Sequence, residues 1–255
     1  MTEPTIARVV RDGEMEVHFQ PIVDLKRKKI YAYEALARPK RSDFPKGPAE
    51  MFEEAARYDL AGALGRIVRS IAVERASGHP LFLNIHPSEL NAHFLVQPDD
   101  PIFNHTGDVY LEITEGVPLS HLALCKQVLG EVRGRGIYLV VDDLGAGYSN
   151  LKYIADLHPR VVKLDRELIC GLTSETRLHK LVKHIVIMCR DLDARVVAEG
   201  VETEAELEAI RDAGVELAQG YLFARPSFPP PEPEWPRTTV RPPSLRPSKP
   251  PGRKK

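Results

Sequence analysis

From about residue 15 to 225, short runs rich in β-branched and aromatic residues alternate with longer stretches whose apolar positions recur every three or four residues. The first pattern belongs to buried strands and the second to amphipathic helices, so their alternation predicts parallel strands joined by crossover helices. The strand candidates are EVHFQPIV, KIYAYEALAR, PLFLNIHP, DVYLEITE, IYLVVDDL, RVVKLD, RVVAEGVE and LAQGYLFA. Eight such runs, with helix-like spacers such as MFEEAARYDLAGALGRIVRSIAVERA and SETRLHKLVKHIVIMCRDL, fit a closed (β/α)8 barrel of the TIM type better than an open sheet. The first two runs depart from this rule. Only Asp24 to Lys28 separates them, too short for a crossover helix, so they form a hairpin and the first strand runs antiparallel to the others.

Proline and charge change the picture at the C-terminus. Residues 227–255 hold 10 of the 22 prolines and seven Lys/Arg against two Glu, with few residues to bury. The expected division is therefore a barrel over 1–226 and a Pro-rich basic tail over 227–255, disordered or in polyproline II. Such a tail suits a weak contact with an anionic surface or a proline-binding domain; the plainer reading is a solvated extension. Because the whole chain has a formal charge of −1, the remainder is acidic.

With 43% hydrophobic and 28% charged residues, the composition is that of a soluble globular protein. No apolar run is long enough to cross a bilayer, and the first 20 residues carry charges where a signal peptide needs an apolar stretch, so a cytoplasmic enzyme is expected. Cys125, Cys170 and Cys189 are few and far apart, which speaks against a zinc knuckle or a disulfide framework and leaves core filling as their expected role.

Polar residues sit late in seven consecutive strand candidates: Glu34, Asn84, Glu112 with Glu115, Asp142 with Asp143, Lys163 with Asp165, Glu199 with Glu202, and Gln219. In an α/β barrel these positions share the C-terminal rim, where active sites are built. One such carboxylate would read as a helix cap; the joint pattern does not. The carboxylates Glu34, Glu112, Asp142 and Asp143, with the amide of Asn84, cannot converge without a cation. All are hard oxygen donors, which favours Mg²⁺ or Mn²⁺ over Zn²⁺. His86 is read as a loop residue. Adjacent strand residues face opposite ways, so Asp142 and Asp143 share a pocket only at a turn, which the GAG of DDLGAGYS can supply. A carboxylate shared by two ions suits phosphodiester hydrolysis. Lys163 and Gln219 suit the attacking water and the phosphate, although Lys163 could instead pair with its acidic neighbours. Glu199 suits either proton acceptance or metal binding.

The strings EALAR (34–38) after FQPIVDL (19–25), LNIHPSEL (83–90), LEITE (111–115), VDDLGAGYSNL (141–151), VKLD (162–165), AEGVET (198–203) and QGYLFARP (219–226) occur in this order. In them the chain resembles the EAL-domain phosphodiesterases of cyclic di-GMP signalling. The resemblance implies a barrel with an antiparallel first strand and hydrolysis of cyclic di-GMP to linear pGpG by two divalent ions, Mg²⁺ or Mn²⁺. By motif, Glu34, Asn84, Glu112, Asp142 and Asp143 would be metal ligands. Lys163, Glu199 and Gln219, together with Glu34, would form the catalytic group. Gln20, Leu36, Arg38 and Asp165 would contact the substrate, and Glu115 and Glu202 would be supporting carboxylates. A homodimer formed through the helix and loop after Asp143 is also implied, with cyclic di-GMP as the partner rather than a DNA or RNA polymer. Leu144 stands where the family usually has Phe, Ala146 where it often has Thr, and Pro39 where an aromatic residue is common. Leu144 and Pro39, with the lack of any attached sensor domain, motivate the alternative of a non-catalytic cyclic di-GMP receptor signalling through a partner protein.

Overall fold

A computed structural model describes residues 4–40, 44, 47–76, 78–91, 97–114, 122–146 and 151–236. Among them, eight strands close into a barrel in sequential order. They are β1 (Met15–Asp24), β2 (Lys29–Pro39), β3 (Leu81–Asn84), β4 (Val109–Thr114), β5 (Tyr138–Leu144), β6 (Val161–Leu164), β7 (Arg195–Ala198) and β8 (Leu217–Ala218). β1 pairs antiparallel with β2 and with β8, and every other pairing is parallel, so the strand after which no crossover fits is the reversed one.

The strand period of two sets the barrel interior. Ile22, Ala32, Phe82, Tyr110, Val140, Val161, Val197 and Leu217, one from each strand, form a separate buried apolar layer inside the barrel. Two residues further towards the C-terminal rim on each strand, on the same face, stand Gln20, Glu34, Asn84, Glu112, Asp142, Lys163, Glu199 and Gln219. The count runs backwards on β1 because that strand is reversed. A polar tier thus sits directly on an apolar floor.

The outer faces of the strands join the main core under the helices. α1 (Thr5–Asp12) precedes β1. The expected single spacer after β2 is two helices, α2 (Pro48–Arg57) and α3 (Ala61–Arg75). Asp59, in the left-handed region at φ 55°, turns the chain between them. α4 (Pro87–Asn91), α5 (Leu122–Gly134), α6 (Lys152–Leu157), α7 (Arg166–Ile169), α8 (Arg177–Asp191) and α9 (Glu204–Asp212) complete the ring. α9 starts at a capping box in which Thr203 and Glu206 satisfy each other's backbone N–H groups. No described helix is long and apolar enough to cross a membrane.

A buried ion triad ties α3 to the segment that follows β3. Arg69 donates to Glu89 at 2.5 Å and to Asp100 at 2.8 Å, and all three side chains are at most 1% exposed. Glu89 also accepts the amide of His86 at 3.0 Å, which anchors the chain just beyond Asn84. Removing one member of a buried pair leaves charge without compensation. Arg69→Met is therefore expected to cost about 3–5 kcal/mol, seen in thermal denaturation as a melting temperature lower by roughly 10 °C or more. An unchanged melting curve would contradict this role.

Two expectations fail. Residues 227–236 do not leave the domain: Ser227 exchanges backbone hydrogen bonds with Phe19 on β1, and Phe228 lies between the Phe19 ring and the guanidinium of Arg75. Tyr33 donates to the carbonyl of Pro231, and Trp235 packs edge-on against Phe223. This strap covers the outer side of the β1–β2 hairpin, which has no crossover helix of its own. Residues 237–255 of the tail lie outside the described residues. Cys170 is exposed rather than core filler, whereas Cys189 is buried as expected; the side chain of Cys125 lies outside the described set.

Candidate metal-binding catalytic site

At the C-terminal rim six side chains of the polar tier, Gln20, Glu34, Asp142, Lys163, Glu199 and Gln219, line a cavity of about 310 Å³, while Glu112 lies beneath it against Lys163 and Asn84 borders the neighbouring cavity. Lys163 on β6 is its hub. The ammonium, 1% exposed, stands 2.6 Å from Glu112, 2.7 Å from Glu199, 3.1 Å from Asp142 and 3.5 Å from Glu34. The reading of Lys163 as an ion-pair partner of its acidic neighbours thus holds. Glu34 is fixed by two amides as well, accepting from Asn84 at 3.0 Å and from Gln219 at 2.5 Å. Gln219 also donates to Gln20, and Gln20 to the carbonyl of Ala224, so the middle of β1 is stitched to the loop after β8.

One ammonium cannot neutralise these carboxylates. Burial would lower the pKa of Lys163, but Asp142, Glu112, Glu199 and Glu34 outweigh it and hold the pKa well above the ordinary value. Burial likewise raises Glu34, yet Lys163 and the two amides outweigh it and leave this carboxyl below its usual range. The others go the opposite way. Burial and the Glu34 charge push Glu112 well up, and Asp142 rises for the same reasons against the pull of Lys163. Asp143 is pushed up to about 6 by burial and by Asp142. Glu199 reaches about 8, through burial and the charges of Asp142 and Glu34.

Asp142 and Asp143 both line the cavity, but not because the strand has ended. β5 continues to Leu144; its register with β6 slips between Val141 and Leu144, and Asp143 adopts φ 58°. A bulge with one left-handed residue turns both carboxylates inward. Gly145, at φ 108°, has no room for a Cβ because the Leu168 side chain packs over it. Leu144 itself is fully buried.

The other expected residues divide. Leu36 and Glu202 line the cavity, Glu202 paired with Arg166 at 2.9 Å. Arg38 does not line it; with Asn84, His86, Phe52 and Thr114 it borders a neighbouring, more apolar cavity of about 440 Å³, which Leu36 also lines. Asp165 lies outside the first cavity too and caps α7, accepting the amide of Glu167 at 2.7 Å. His86 is a structural loop residue, as expected, stacked on Phe52. Glu115 and residues 147–150, the end of DDLGAGYS with Asn150, lie outside the described residues. Arg166, Gly200, Gly220 and Tyr221 also line the cavity and were not singled out from sequence. They follow the strand ends by two or three positions, where the strand period no longer says which way a side chain points.

The donor set fits a hard divalent cation. Among the described residues, Asp142, Asp143 and Glu199 can bring one oxygen each within 4.8 Å of one another. Glu112 Oε2 and Gln219 Oε1 are buried without a hydrogen-bond partner, an arrangement that costs free energy unless another group satisfies them. Oxygen donors without imidazole or thiolate match Mg²⁺, Mn²⁺ or Ca²⁺ chemistry.

Comparison with known proteins agrees with this reading. Residues 5–226 match the EAL domain family. The cyclic di-GMP phosphodiesterase RocR of Pseudomonas aeruginosa is 30% identical over 240 residues, which cover 88% of this chain and 61% of RocR. NbdA, a cyclic di-GMP phosphodiesterase of the same organism, is 30% identical over 88% of this chain and 30% of its own length. The chain therefore spans less than two thirds of either relative. Klebsiella pneumoniae BlrP1, solved with calcium and cyclic di-GMP, superposes with a TM-score of 0.71 at 30% identity, covering 84% of this chain and 56% of BlrP1. Its manganese and cyclic di-GMP complex gives a TM-score of 0.69.

Proposed function

This chain belongs to the EAL domain family, and from that premise we propose that it hydrolyses cyclic di-GMP to linear pGpG with two divalent ions, Mg²⁺ or Mn²⁺. The observation that carries the proposal is the polar tier itself. Six strands, and the residues just past the ends of β7 and β8, contribute one polar side chain each, and the resulting cluster of carboxylates shares a single ammonium.

Glu34, Asn84, Glu112, Asp142 and Asp143 would hold the ions. When bound, the ions supply an ionised water and neutralise the phosphoryl oxygens. Lys163 orients the attacking water through its ammonium, and Gln219 supports it through the carboxamide that already anchors Glu34. Glu199 would accept the proton of that water as general base, once the bound ions offset the crowding by Asp142 and Glu34 that raises its carboxyl. Leu36, lining both cavities, packs against the nucleotide. Gln20 and Arg38 offer donors to phosphate or base edges, the guanidinium through its planar fork. Asp165, which caps α7 and lies outside the cavity, would contact the substrate only by leaving that cap, and Glu202 keeps Arg166 at the cavity wall.

The proposal extends to a homodimer formed through the helix and loop after Asp143 and to a cytoplasmic setting; size-exclusion with light scattering and cell fractionation test these two parts. The receptor alternative loses its main motive, because none of the proposed ligands is missing and Leu144 packs in the core.

The test is incubation of metal-free protein with cyclic di-GMP before and after addition of Mn²⁺, followed by chromatography. Linear pGpG that appears only after the metal is the expected result. Intact cyclic di-GMP despite tight binding would favour the receptor.

A further inference from the structure

A second cavity, of about 490 Å³, opens at the opposite end of the barrel, between the β1–β2 turn, the start of β7 and the loop that leads from α9 into β8. Its charged lining consists of Lys26, Arg27, Arg195 and Arg211 against Asp24 and Glu216. Both carboxylates are already engaged. Asp24 accepts the amides of Lys26 and Arg27 at 3.0 and 2.8 Å, the Arg27 guanidinium at 2.9 Å and Arg195 at 3.4 Å. Glu216 accepts from Arg195 at 2.8 Å. By contrast, among the described residues the ammonium of Lys26 and the guanidinium of Arg211 have no hydrogen-bond or ion-pair partner. The cavity is thus electropositive in a domain whose remaining charge balance is acidic.

The turn reads LKRKK, and Lys28 within it adopts φ 51°, its amide bonded to the carbonyl of Asp24 at 2.9 Å. Glycine or asparagine satisfies that left-handed position more cheaply than lysine. The turn thus carries a further cation at a position whose conformation does not favour it, although Lys28 does not itself line the cavity. A helix C-terminus attracts basic residues and accounts for Arg211 at the end of α9, but it accounts for neither Lys26 nor Lys28.

We propose that this cavity is a binding site for an anionic phosphate group, as in a diphosphate, a nucleotide or a phospholipid headgroup. The planar forks of Arg27 and Arg195 are held in place by Asp24 and Glu216, so they are preorganised for phosphate oxygens. Lys26 and Arg211 supply the uncompensated charge. The volume lies within the range of small-ligand sites. The site is separate from the carboxylate rim and does not rest on the phosphodiesterase reading.

The experiment uses the full chain in EDTA, so that no metal recruits phosphate to the rim. Calorimetric titration with inorganic pyrophosphate is run beside flotation with phosphatidylglycerol and phosphatidylcholine vesicles. Saturable pyrophosphate binding, weakened at least tenfold in Lys26→Glu/Arg211→Glu, is expected. Both replaced side chains are exposed, so the variant should melt as the wild type does and keep its metal-dependent turnover. Flotation with phosphatidylglycerol alone, lost in the double variant, would identify a lipid headgroup as the source of the phosphate. Failure to bind either probe, or equal binding by wild type and variant, would overturn the proposal.

Discussion

Lys163→Met is expected to lower the stability of the metal-free protein by about 3–5 kcal/mol, the usual cost of leaving buried charge without its partner. The reason is specific to this hub. Glu34, Glu112, Asp142 and Glu199 all face one ammonium, and methionine fills its volume without replacing its charge. The deficit should shrink at low pH, where the carboxyls take up protons instead. It should also shrink on addition of Mn²⁺, which supplies positive charge to the same oxygens. Turnover should still fall at least a hundredfold with metal present, because the group that orients the water is gone. Thermal melts with and without Mn²⁺, followed by steady-state assays, separate the two effects. A variant as stable as the wild type in EDTA would show that the carboxylates do not depend on Lys163.

The second large effect is on pH dependence. Asp143 and Glu199 are pushed up to about 6 and about 8, whereas in the unfolded chain they titrate near their ordinary values of 3.8 and 4.5. Between about pH 4.5 and 8 the native state therefore binds more protons than the unfolded state, and stability must fall as pH rises through that window. Metal requires the deprotonated carboxylates, so its affinity rises over the same range. Melting temperature in EDTA should decline from about pH 5 to 8, and the gain on adding Mn²⁺ should grow. A flat or rising curve in EDTA would contradict the crowding of carboxylates at the rim. Lys163, held far above this range, contributes no slope to it.

The barrel was legible because strand alternation and hairpin length are local properties. The short Asp24–Lys28 link identified the reversed strand, and each rim residue lies two positions from an apolar residue of the inner floor. What escaped depends on contacts between distant segments. The bulge that turns Asp142 and Asp143 the same way is a mismatch between β5 and β6, not a feature of either strand alone. The Arg69 triad joins residues 69, 89 and 100, and no spacing rule connects them. Residues 227–236 were hidden by composition: proline and glutamate dominate, while the contacts of Phe228, Pro231 and Trp235 with β1, β2 and Phe223 decide the outcome. Arg38 and Asp165 sit at motif positions, yet their side chains are spent on the Ala37 carbonyl and on a helix cap.

The most direct measurement compares wild type with Glu34→Ala in a cyclic di-GMP hydrolysis assay containing Mn²⁺, with linear pGpG as the readout. Glu34 is the carboxylate that Lys163, Asn84 and Gln219 jointly hold. Steady pGpG production by the wild type and none above background for folded Glu34→Ala is the expected pair of results. Intact cyclic di-GMP with the wild type, or near-normal turnover by the variant, would contradict metal-dependent hydrolysis at this rim.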